Sequence, residues 1–77
     1  LAAWNSRLVE FAASELGKRM EDESNSPDHQ VYFACRLVLS RPATPLEQAI
    51  LREHLDRHGP RSLARVLFNM NAFLYVD

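Results

Sequence analysis

At 77 residues, with 47% hydrophobic and 25% charged residues and a net charge of −1, the chain is too short for more than one domain and too apolar for an intrinsically disordered segment. The near-neutral balance gives little non-specific attraction to nucleic acid or anionic lipid, and no run approaches the roughly 18 apolar residues that a membrane span needs. One cysteine, Cys35, cannot form an intrachain disulfide or a cysteine-cluster metal site.

In chain order, the first helix is expected from about Ala3 to Met20. Trp4, Leu8, Phe11 or Ala12, Glu15 and Leu16 follow the three-four spacing of an amphipathic helix, and Val9, Ala13 and Met20 widen the stripe. The acidic run Glu21-Asp22-Glu23 and Ser24-Asn25-Ser26 are expected to break it as a solvated loop. Ser26-Pro27 then supplies a cap and a proline at the first helical position, which starts a second helix reaching about Ser40. Its middle, Val31 to Leu39, is interrupted only by Arg36, as in a central helix buried on most sides.

Ser40-Arg41-Pro42-Ala43 reads as a turn. Thr44-Pro45-Leu46-Glu47 is a capping box, with Thr44 as cap and Glu47 reaching back to the Thr44 amide. The third helix runs on to about His58 and stops at Gly59. The fourth opens at Pro60 or Arg61, carries an apolar stripe of Leu63, Val66, Leu67 and Met70, and is expected to fray between Asn69 and Asn71. The short connections predict antiparallel neighbours. The fold expected is therefore all-α: one compact bundle of about four short helices over residues 1–77, closed by a docked apolar C-terminal tail. The expected core is Phe11, Leu16, Tyr32, Phe33, Leu37, Val38, Ile50, Leu55, Leu63, Leu67, Phe68 and Phe73.

Candidate chemistry is sparse. His54 and His58 are four apart and share a helix face, a spacing that can hold a transition metal, with His29, Asp56 or Cys35 as a third ligand. The residues between them are Leu-Asp-Arg rather than a metalloprotease pattern. The blander reading, a hydrogen-bonded His54 and a His58 near the negative helix end, is preferred, so no metal is assigned. Cys35 lies mid-helix in an apolar run, which favours an inert thiol over a nucleophile. Arg52, Arg57, Arg61 and Arg65 invite a nucleic-acid reading. Glu47, Glu53 and Asp56 interleave with them, so a salt-bridged face is expected and no nucleic acid is assigned.

The final nine residues, Asn69-Met70-Asn71-Ala72-Phe73-Leu74-Tyr75-Val76-Asp77, resemble the terminal signature LLNxNEFLYVD of a bacterial family. That family is the C-terminal domain of unknown function of planctomycete-type, cytochrome c-associated secreted proteins. The run Leu37-Val38-Leu39-Ser40-Arg41-Pro42-Ala43-Thr44-Pro45-Leu46-Glu47 is similar to its LxLSRPPTPEE turn, and Trp4-Asn5-Ser6-Arg7-Leu8-Val9 to its LNSPFV helix start. The chain departs from the pattern at Ala43, Leu46 and Ala72, the last replacing a glutamate.

The resemblance implies the tail of a longer chain, which the start at Leu1 rather than Met also leads us to expect. It implies a secretion signal and a haem c-binding region upstream, an extracytoplasmic or periplasmic location, and upstream domains of the same chain as partners. No cofactor is implied for this piece and no catalytic residues carry over. Arg41, Pro42, Thr44, Pro45 and Glu47 would shape a helix–helix turn. Asn69, Asn71, Phe73, Leu74 and Tyr75 would end a helix and return the chain to the body. The function expected is a non-catalytic structural or interaction module, able to self-associate when cut from its parent. The alternatives are a contribution to a haem- or substrate-related enzyme site of the parent and, after that, a small nucleic-acid-binding domain.

Overall fold

Four helices make up the computed structural model, which describes residues 6–74 and the side-chain surroundings of 7–71. They are α1 (Ser6–Glu23), α2 (Pro27–Leu39), α3 (Pro45–His58) and α4 (Pro60–Leu74), with no strand among the described residues. The protein is an all-α bundle. The broadest packing is α1 on α4, and α2 touches each of the other three helices, the central place its apolar run suggested.

The seam of α1 is Val9, Ala13, Leu16 and Met20, all buried. This corrects the expected stripe, because Leu8 and Phe11 stand 48% and 66% exposed and the buried face lies about one residue further round. Small residues decide the rotation. A Cβ on Gly17 would sit 3.3 Å from the Arg61 backbone nitrogen and 3.4 Å from its Cα, so α1 meets the start of α4 almost backbone to backbone. Only the face carrying Ala13 and Gly17 permits that approach. Trp4 lies outside the described residues.

Helix α1 also outruns its expected end. Glu21, Asp22 and Glu23 are helical and exposed, and the break waits for Ser24, whose amide donates to the Met20 carbonyl at 3.3 Å. Acidic side chains are adequate helix formers, and the buried Met20 holds the turn beneath them. The following loop is tied to α2. The Ser26 hydroxyl accepts from the His29 amide, and the buried Gln30 donates from Nε2 to the Ser24 carbonyl at 2.6 Å.

On α2 the buried side is Val31, Ala34, Cys35 and Leu39, with Phe33 and Val38 packed beside it. Tyr32 and Leu37 are exposed, as is Ile50 on α3, so with Phe11 four residues of the expected core face outward. A helix covered by three neighbours still keeps an open side in a chain this small. Arginines lie over two of the α2 rings: Arg36 5.9 Å from the centre of Tyr32, and Arg19 5.8 Å from Phe33.

Leu51 and Leu55 bury α3, and Leu63, Ala64 and Leu67 bury α4. Gly59 alone separates these two helices. Its amide donates to Leu55 at 2.9 Å and its carbonyl accepts from Leu63 at 3.1 Å, so one residue ends α3 and begins α4. Its backbone, at φ 88° and ψ 171°, is one that residues with a Cβ rarely adopt. Helix α4 does not fray at Asn69 and Asn71 but continues through Phe73 and Leu74, which are therefore helical rather than part of a tail beyond the helix. The side chains of Phe73 and Leu74, and Tyr75 onward, lie outside the described residues, and with them the expected docking of the tail.

Candidate functional site

The turn between α2 and α3 is the most elaborately bonded feature. Ser40 ends α2 in the left-handed region, at φ 61° and ψ 22°, and turns the chain toward Arg41. The Thr44 hydroxyl accepts from the Glu47 amide at 3.2 Å, and the Glu47 carboxylate accepts from the Thr44 amide at 2.9 Å, completing the capping box. Both oxygens of that carboxylate also accept from Arg41, at 2.7 and 2.9 Å, in a two-pronged pair. The Arg41 guanidinium, with the Thr44 amide, holds the Glu47 carboxyl well below the usual carboxylate range, at about 2. The capping box was readable from its spacing. The Arg41 bridge was not, because nothing in Arg-Pro-x-Thr-Pro-x-Glu alone says that the arginine folds back over the turn.

Two further ion clusters tie helices together. Glu10 on α1 accepts from Arg65 at 2.6 and 2.8 Å and from Arg61 at 2.9 Å, which lowers its carboxyl to about 2, with Arg65 the larger cause. Arg52 on α3 pairs with Asp28 at 3.0 Å and with Asp56 at 3.1 Å. Gln48 donates to the Asp28 carbonyl at 2.9 Å, fastening the start of α2 to α3. Arg57 faces Glu53 at 3.7 Å. Each arginine of the expected basic strip thus has a carboxylate beside it. Two of those acids, Glu10 and Asp28, come from other helices and carried no local sequence signal.

His54 and His58 do come together, with ring centres 4.7 Å apart and planes inclined by 43°. His54 is half-buried and its Nε2 lies 2.9 Å from the Ser62 hydroxyl of α4, while His58 is exposed. The other ligand candidates are engaged elsewhere: Asp56 with Arg52, His29 with Glu23 at 3.7 Å, and Cys35 in the core. Among the described residues no three metal-binding side chains converge. Burial pushes the Cys35 thiol up, with the Glu47 charge adding to it, so a reactive thiolate is disfavoured.

An open groove of about 380 Å³ runs between α1, α2 and α4, with Leu16, Leu37, Val38 and Phe68 as apolar walls. Asn71 lines its edge with a buried Oδ1 that has no hydrogen-bond partner among the described residues. Glu15 and Arg19 supply its charged rim. The groove was not anticipated, because it depends on how three helices meet.

The fold and these sites define a small helical bundle whose polar side chains mainly fasten helix ends and neighbouring helices. No protein-family model matches the chain, and neither a curated protein nor a solved structure matches it. No described helix is long and apolar enough to cross a membrane.

Proposed function

We propose that the chain is a non-catalytic structural or interaction module, the C-terminal helical part of a larger extracytoplasmic, cytochrome-associated protein. The observation that carries the reading is the set of large apolar side chains left outside the bundle. Phe11 is 66% exposed on α1, and Leu46 and Ile50 are 70% and 58% exposed one helical turn apart on α3. Such residues are suited to burial against further protein. The resemblance of the 37–47 and 69–77 segments to a domain found at the end of longer secreted chains supports the same reading and supplies its location and parent. Upstream domains of that parent are the proposed partners, and haem c belongs to them rather than to this piece.

A second reading, a contribution to a haem- or substrate-related site of the parent, is favoured by one feature. The unpartnered Asn71 Oδ1 at the edge of an apolar groove is an acceptor that a bound molecule could satisfy. Nucleic-acid binding draws less support, since the arginines that would serve it face carboxylates. Turnover of the parent with Asn71→Ala in place decides between the first two. The module reading expects unchanged turnover in a folded variant, whereas lost turnover with an intact helical spectrum would overturn it.

A further inference from the structure

The end of α3 carries a pair of imidazoles, of which only His54 is tied to a neighbouring helix, through Ser62. A nitrogen ligand sits about 2.0–2.1 Å from a first-row divalent ion, which places the ion about 3.2 Å from the ring centre. Two imidazoles on adjacent tetrahedral or octahedral positions then have centres about 4.5–5.2 Å apart. His54 and His58 have theirs at 4.7 Å, inside that interval.

Two other features agree with a cation here. Nε2 of His54 lies 2.9 Å from Ser62 Oγ; in the tautomer whose Nε2–H donates this bond the Nδ1 lone pair is left for a metal, the arrangement in which a second hydrogen bond fixes the tautomer of a ligating histidine. His58 is the last residue of α3, where the helix dipole is negative.

We propose that His54 and His58 form a binding site for one borderline divalent transition cation of the zinc, nickel or copper class. Ser62 acts as a positioning residue, and water completes the coordination. Imidazole ligands suit these ions, whereas magnesium and calcium call for oxygen ligands that the pair does not offer.

The test is calorimetric titration of the chain with zinc chloride at neutral pH, with magnesium chloride as control, read alongside imidazole resonances in NMR spectra. The expected result is one zinc per chain, no heat with magnesium, and ring shifts at His54 and His58 but not His29. His58→Gln, at an exposed position, leaves the fold intact and weakens zinc binding at least tenfold, as does His54→Gln. Ser62→Ala weakens it about tenfold and loses the single His54 tautomer. Zinc binding by His58→Gln equal to the parent chain, ring shifts at His29 alone, or no zinc response at millimolar concentration would each overturn the proposal.

Discussion

Gly59→Ala isolates the backbone cost of joining two helices through one residue. No atom lies within 4 Å of where the new Cβ would stand, so the substitution adds no clash with a neighbour. What it adds is strain, since alanine must hold φ 88° and ψ 171°, a region that costs a residue with a Cβ about 1–3 kcal/mol. A stiffer unfolded chain works the other way and changes the net by about 0.4–1 kcal/mol. The net loss expected is about 1–2 kcal/mol, which for a domain of this size lowers the melting temperature by about 5–15 °C. Urea and thermal unfolding followed by circular dichroism read it, with an unchanged urea slope showing that the folded state is otherwise the same. Gly17→Ala is the contrasting case. It gains about 1 kcal/mol of helix propensity but must fit a Cβ 3.3 Å from backbone, so its cost comes from packing alone. A Gly59→Ala variant that melts with the parent chain would refute the strained-joint argument.

Three further outcomes are expected. Leu16→Ala loses about 2–4 kcal/mol in urea unfolding while Phe11→Ala stays within about 0.5 kcal/mol; the reverse order would contradict the buried seam of α1. Stability falls as pH drops from about 4.5 toward about 2, because Glu10 and Glu47 hold their carboxyls at about 2 in the folded state and the unfolded chain binds their protons first. Glu47→Gln flattens part of that acid limb in a pH series of melts, and an unaltered limb contradicts the assignment. Cys35, buried and with its thiol pushed up, reacts with a disulfide reagent only at the rate of unfolding, and rapid labelling of the native chain contradicts this.

Local punctuation was the part of the fold that the sequence displayed. Ser26-Pro27, the Thr44–Glu47 box and Gly59 lie within a few residues of the bonds they make, so spacing alone located the starts of α2 and α3 and the stop of α3. The face of each helix was less legible. Val9, Ala13, Gly17 and Met20 form the α1 seam because α4 approaches closely there, and that approach is a property of two helices rather than one. The same holds for the ion clusters. Glu10 meets Arg61 and Arg65 from more than 50 residues away in sequence, and no local pattern marks such a partner. At the other end, Phe73 and Leu74 were expected in a docked tail beyond a helix fraying between Asn69 and Asn71, yet α4 carries the helix through them.

The central claim is that the outward apolar residues are interface. Hydroxyl-radical footprinting measures it at each side chain, on the 77-residue chain alone and on the proposed longer parent protein. The account predicts fast oxidation of Phe11, Leu46 and Ile50 in the isolated chain and a several-fold slowing at the same positions in the longer protein, with Leu63 and Leu67 slow in both. Equal rates at Phe11, Leu46 and Ile50 in the two would contradict it.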